Sequence, residues 1–187
     1  LTSYSLELGG NDPAIVLADA DLDLTAAGLV FNSMLNSGQM CVAVERVYAV
    51  PEVYAELVTK VVERVKALRT DGEGHGLDMS GLITPQQHAL VSEHVSEAMA
   101  QGAIAMTGGA PGEGHHFAPT VLTSVDHTMR VMTEETFGPV LPIMEVADVD
   151  EAIRLANDSP YGLSASVWSR NHDAAVRVAE RLEVGTV

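Results

Sequence analysis

The sequence predicts an α/β protein: a mainly parallel sheet in three layers, with helices covering both faces. Three observations carry this expectation. Apolar runs of strand length alternate with amphipathic stretches of helix length along the whole chain. The clearest of those stretches repeats its apolar residues at i and i+4. No internal repeat, low-complexity tract or linker interrupts the 187 residues, so one domain over 1–187 is expected.

In chain order, Ala14–Leu17 is a short apolar run behind a Gly-Gly-Asn-Asp-Pro turn signal and reads as a buried strand. Asp21 to Ser37 reads as a helix, with Leu22, Ala26, Leu29, Val30, Ser33 and Met34 on one face, acids in its first turn and Gly38 just past its end. Val44–Val50 is β-rich and stops at Pro51. Glu52 to Leu68 carries the stripe Val53, Leu57, Val61, Val65 and is a helix. Thr70 to Gly76 is a polar, Gly-rich loop, and Pro85 to Ala100 is again helical. Ala103–Met106, Thr120–Thr123 and Val140–Val146 read as strands. The Gly- and His-containing stretch from Gly108 to Met132 breaks the pattern and is expected to be irregular or locally antiparallel. A helix over Val149–Asn157, a strand over Ser164–Trp168 and a helix over His172–Leu182 complete the chain.

Charge and cysteine content bound the function. A net charge of −16 argues against nucleic acid or an anionic membrane surface, both of which demand clustered Lys and Arg. No run of 18 apolar residues suggests a membrane span. The chain begins Leu1-Thr2-Ser3 without a methionine, and no basic region followed by an apolar stretch suggests a signal peptide. The single cysteine, Cys41, excludes an intrachain disulfide and a multi-thiolate metal site, and fits a reducing, cytoplasmic location.

Three places could carry chemistry. Cys41 follows Asn36-Ser37-Gly38-Gln39-Met40, at the seam between a helix end and a strand start. It reads either as a small buried hydrophobe or as a nucleophile, the latter requiring help to ionise against an ordinary thiol pKa of about 8.5. Glu7, in Leu6-Glu7-Leu8-Gly9-Gly10, is either an exposed residue of an edge strand or a partly desolvated general base. Glu134-Glu135-Thr136-Phe137-Gly138-Pro139 is either an acidic turn or a place where a carboxylate accepts hydrogen bonds from sugar hydroxyls.

Other signals are weaker. Gly108–Gly114 is glycine-rich, but no lysine with Ser/Thr follows and no helix opens behind it, so it is a surface turn and not a phosphate loop. His115 and His116, adjacent on an extended chain, point to opposite faces and lack a local third ligand, so no metal site is expected.

Taken together, these motifs resemble the NAD(P)-dependent aldehyde dehydrogenase family. Its glutamate motif is similar to Leu6-Glu7-Leu8-Gly9-Gly10, and its cysteine motif to Gly38-Gln39-Met40-Cys41 followed by Glu45-Arg46-Val47-Tyr48. A third block resembles Glu134–Val140, and Ala156–Leu163 and the closing Gly185-Thr186-Val187 follow in the family's order. The resemblance implies that Cys41 attacks an aldehyde carbonyl to give a thiohemiacetal. After hydride transfer to NAD or NADP, Glu7 would activate the water that hydrolyses the resulting thioester. It also implies that Glu135 binds the nicotinamide ribose, Phe137 lies on the nicotinamide side, and the Leu8 carbonyl lies near the carboxamide. Gln87 falls roughly where the family has a further ribose contact.

The resemblance further implies what the chain lacks. Family members are more than twice as long, with a dinucleotide-binding domain, a catalytic asparagine and oligomerisation arms outside this segment. The segment matches the catalytic domain alone, is expected to show little dehydrogenase activity by itself, and belongs to a longer chain forming a homodimer or homotetramer. Where the family usually has Lys after Gly-Gly, this chain has Asn11. The cysteine block, the Ser80–Ile83 stretch and Phe117–Leu122 most resemble succinate-semialdehyde or broad-specificity members. Two other readings stay open: a nucleotide-independent cysteine esterase or thioesterase, and a non-catalytic fragment needing a partner domain. The former has no His in a hydrolase-like motif near Cys41.

Overall fold

The computed structural model describes residues 2–3, 5–70 and 76–187. Most of the loop expected from Thr70 to Gly76, positions 71–75, lies outside the described residues. The chain runs β1 (Asp12–Val16), α1 (Leu22–Met34), β2 (Val44–Ala49), α2 (Pro51–Lys66), α3 (Pro85–Ala100), β3 (Ile104–Thr107) and β4 (Thr120–Thr123). It continues through α4 (Arg130–Thr133), β5 (Val140–Glu145), α5 (Val149–Asn157), β6 (Ser166–Trp168) and α6 (His172–Ala179). The six strands form one sheet in the order β3-β4-β5-β2-β1-β6. All neighbours are parallel except β3 and β4, whose antiparallel pairing accounts for the irregular stretch around residue 108.

Local chemistry sets most of the element ends. Asp21, Thr84, Asp148 and Asn171 cap α1, α3, α5 and α6, each side chain accepting from a backbone N–H three residues on. Pro51 and Pro85 occupy first-turn positions, where a missing N–H costs nothing. β1, β2 and β4 are buried at every position, as expected of strands covered on both sides. Helices α1 and α2 pack on one another and on the β2–β5 region, while α5 lies along β1 and β2. A continuous apolar cluster from Ala14 to Leu182 joins them.

Two expectations need correction. The helix expected to reach Ser37 ends at Met34 and gives way to a tight turn over Leu35–Gly38. Asn36, Ser37 and Gly38 have φ of 53°, 59° and 71°, a left-handed run that no helix continues. Tertiary bonds hold it: the buried Ser37 hydroxyl donates to the Ser80 carbonyl (2.6 Å) and accepts from the Ser80 N–H (3.2 Å). The second correction is α4, a single turn within the stretch expected to be irregular.

This topology decides where the sequence motifs meet. β5, β2, β1 and β6 are consecutive in the sheet and mutually parallel. The segments leading into them, Glu134–Pro139, Gln39–Ala43, Glu7–Asn11 and Ser159–Leu163, therefore all enter at the same edge.

Candidate active site

Glu7, Leu8, Gly9, Gln39, Met40, Cys41, Glu135 and Phe137 line one groove of ≈ 500 Å³ at that edge. Cys41, Glu7, Leu8, Glu135 and Phe137 are all in this lining. Cys41 is half-buried and unpaired, so it is not the small buried hydrophobe that one reading of its position suggested. Glu7 is exposed and belongs to no strand, and its flanking leucines, Leu6 and Leu8, are 65% and 66% exposed. The exposure matches the first of the two readings of Glu7, although no strand carries it, and the partial desolvation of the second would have to come from atoms beyond these residues.

The two glycines after Glu7 explain how the segments approach. A Cβ at Gly10 would lie 2.3 Å from the Cys41 carbonyl oxygen, and one at Gly9 would lie 2.2 Å from Glu135 Oε2. Each glycine removes a side chain where another segment must pass. The Gly10 N–H donates to Glu135 Oε1 at 2.9 Å, and the Glu135 N–H donates to the Tyr161 hydroxyl at 3.3 Å. No hydrogen bond reaches Glu135 Oε2 among the described residues, which leaves a half-buried carboxylate oxygen facing the groove.

The cysteine turn is fixed from behind. Gln39 accepts the Ile83 N–H (2.8 Å) and donates to the Asn36 carbonyl (3.0 Å), while Asn36 donates back to the Gln39 carbonyl (3.0 Å). A Cβ at Gly38 would meet the Gly138 carbonyl oxygen at 2.1 Å, so the cysteine turn and the Glu135 turn touch backbone to backbone.

The two adjacent acids part company. Glu134 is exposed and pairs with Arg130 at 3.0 Å, which holds its carboxyl below the ordinary range; Glu135 turns into the groove. Gln87 does not line the groove. Its Nε2 instead donates to the carbonyls of Thr136 (2.7 Å) and Phe137 (3.1 Å).

Sequence reasoning passed over several residues beneath the site. Glu45, 3% exposed, accepts the N–H groups of Thr136 and Phe137, and burial pushes its carboxyl up to about 8. Asp12 accepts from both the N–H and the hydroxyl of Ser164, and burial raises its carboxyl too. Arg46, buried on the next position of β2, donates to the carbonyls of Asn11 (2.8 Å), Leu155 (3.2 Å) and Ala156 (3.0 Å), the last two at the carboxyl end of α5. Asn11 donates to the Glu134 carbonyl at 2.7 Å. The only available signal was polarity inside a strand-like run, Glu45-Arg46, which a buried strand tolerates only with partners in place. Among the described residues no cluster of three metal-ligating side chains occurs.

The family model described as "Aldehyde dehydrogenase family" matches residues 1–187. The chain is 44% identical over 180 residues to a 4,4'-diapolycopene aldehyde oxidase of Methylomonas sp, covering 96% of this chain and 34% of that protein. It is 43% identical to a probable NADP(+) succinate-semialdehyde dehydrogenase of Sinorhizobium fredii, covering 98% of this chain and 38% of that protein. Among solved structures, succinate-semialdehyde dehydrogenase from Burkholderia pseudomallei superposes with a TM-score of 0.94 at 42% identity, over 98% of this chain and 39% of that one. Lactaldehyde dehydrogenase from Escherichia coli gives 0.92 at 38% identity, over 96% and 39%. The chain thus spans well under half the length of these relatives, along its own full extent, and it belongs to the aldehyde dehydrogenase family.

Proposed function

We propose that these residues are the catalytic domain of an NAD(P)-dependent aldehyde dehydrogenase that oxidises a small-molecule aldehyde to a carboxylic acid. The observation that carries this reading is the meeting of Cys41, Glu7, Glu135 and Phe137, far apart in sequence, around one groove. The Cys41 thiolate adds to the aldehyde carbon and forms a thiohemiacetal. NAD(P)+, held by the groove residues together with residues beyond them, would supply the hydride acceptor needed to oxidise this adduct to the thioester. Glu7, exposed at the rim, takes a proton from water as its oxygen attacks the thioester carbon, releasing the acid and the Cys41 thiol. Leu8 lines the same groove, and its carbonyl would accept from the nicotinamide carboxamide.

The groove suits the cofactor's sugar end. Glu135 has one oxygen held by the Gly10 N–H and the other open to a hydroxyl donor, Gly9 adds no side chain, and the half-buried Phe137 ring offers an apolar wall. In the polypeptide that carries these residues, Cys41→Ala is expected to abolish turnover. Glu7→Gln is expected to accumulate an acyl adduct visible as added mass on Cys41. Unmodified Cys41 in the presence of aldehyde and nucleotide overturns the reading. The isolated 187 residues are expected to form negligible NADH, and robust formation overturns that part.

Nucleotide-independent ester hydrolysis is the second reading, favoured by Cys41 and Glu7 both lying in this chain's own groove. Turnover of a nitrophenyl ester that disappears in Cys41→Ala supports it. A need for a covering partner domain is favoured by the exposed Leu6 and Leu8 beside Glu7.

Succinate semialdehyde is favoured as substrate by the relatives that carry its name. The groove lining contains Glu7 and Glu135 but no cation, so a substrate carboxylate would be held by residues beyond this lining. A cytoplasmic location fits the unpaired Cys41, and no described helix is long and apolar enough to cross a membrane. Assembly of the longer chain as a homodimer or homotetramer follows the family resemblance.

A further inference from the structure

Glu45 is the buried acid that the proposed chemistry leaves unused. It stands on β2, four residues beyond Cys41, and its two oxygens are fully committed. Oε2 accepts the Thr136 N–H and Oε1 the Phe137 N–H, each at 2.7 Å, and Asn11 Nδ2 lies 3.5 Å from Oε2. Two neighbours complete the grip on this turn. Gln87 donates to the carbonyls of Thr136 and Phe137, and the Thr136 hydroxyl lies 3.1 Å from His94 Nδ1.

The turn needs holding. Phe137 has φ of 48°, a left-handed conformation that costs a non-glycine residue energy and persists only where the surroundings impose it. Glu45 and Gln87 seize both the N–H and the C=O of that residue. Two residues earlier stands Glu135, whose carboxylate is aimed by the Gly10 N–H.

Resting on the reading of Glu135 and Phe137 as cofactor contacts, we propose that Glu45 is a positioning residue for nucleotide binding. It ties the strand behind the nucleophile to the turn that presents the ribose-binding carboxylate and the aromatic wall. Both oxygens are needed as acceptors. A side-chain amide cannot replace them, because its nitrogen offers no lone pair to the second N–H.

The test is Glu45→Gln in the polypeptide that carries these residues, titrated with NADH and NADPH by nucleotide fluorescence well below the melting temperature. Hydrogen exchange at the Thr136 and Phe137 amides is followed alongside. The dissociation constant is expected to rise about tenfold, the scale of one lost hydrogen bond to a buried carboxyl group. Exchange at those two amides is expected to accelerate. A merely structural role would lower the melting temperature and leave the affinity of the folded protein unchanged, and that result overturns the proposal. If Glu45→Gln does not fold, Gln87→Ala decides: it releases the same turn from its carbonyl side, and unchanged affinity there overturns the proposal as well. Wild-type protein that binds neither nucleotide overturns the cofactor reading and this inference with it. Wild-type binding matched by the Glu45→Gln variant overturns the inference alone.

Discussion

Gly10 passes so close to Cys41 that any side chain there would strike the cysteine's own carbonyl oxygen, with a Cβ only 2.3 Å away. Backbone carbonyls cannot swing aside as side-chain ends can, so Gly10→Ala must move the cysteine turn. A displacement of about 1 Å at a reacting group costs on the order of 10²-fold in rate, and that loss is expected in kcat/KM. Gly9→Ala meets Glu135 Oε2 instead, the end of a flexible chain. Its larger effect is expected on KM for the nucleotide. Steady-state kinetics of the two variants separate these outcomes.

Gly28 on α1 faces Trp168, and a Cβ there would lie 2.2 Å from the indole Cη2. Alanine gains about 1 kcal/mol in helix propensity over glycine, while overpacking a filled site costs about 1–3 kcal/mol. Gly28→Ala is therefore expected to be neutral to destabilising by about 2 kcal/mol, with a shifted indole emission maximum. Trp168 is the chain's single tryptophan, so the spectrum reports this contact directly.

Arg46 is expected to be structurally expensive to lose. Arg46→Met strands the carbonyls of Asn11, Leu155 and Ala156, each buried acceptor costing about 1–3 kcal/mol. A loss of about 3 kcal/mol or more is expected in urea unfolding. Arg46→Lys keeps the charge but not the planar fork and should recover only part of it.

Two buried groups give opposite pH dependences. Glu45 is pushed up to about 8 by burial, with Glu135 and Asp12 adding to the push and the Thr136 and Phe137 N–H groups opposing it. Its folded value exceeds the unfolded one near 4.5, so the folded chain holds the extra proton between them. Its contribution to stability is full below about pH 4.5 and is lost as pH rises through about 8. Glu45→Gln is expected to flatten that decline in a melting-temperature series. His94 is lowered by burial first and by Arg130 second, against Glu134, Glu93 and Glu97. There the unfolded chain takes the proton first, so stability is lost as pH falls through the ordinary imidazole range, and His94→Gln should blunt that acid limb.

Much of this architecture was legible from periodicity. The stripe Val53, Leu57, Val61 and Val65 is buried as expected, and the apolar runs at Ala14 and Val140 are central strands. What periodicity does not carry is strand order, and strand order is what brings the motifs together. The end of α1 was misjudged because Asn36 and Ser37 adopt left-handed backbone only under tertiary bonds from Ser80. The groove residues are readable as motifs, and so are Glu45-Arg46 and, loosely, Gln87; that these three act through backbone groups of distant segments is what no local pattern announces.

The shared edge of the four parallel strands also orders events in time. The Gly10–Glu135 hydrogen bond closes a separation of 125 residues. Loops of that length are entropically costly to close before other contacts exist to reward them. Pairing of β1 with β2 alone can bring Glu7 and Cys41 together, but the wall made by Glu135 and Phe137 cannot form until β5 docks beside β2. A growing polypeptide therefore contains Cys41 well before it contains the turn at Glu135 that closes the groove around it.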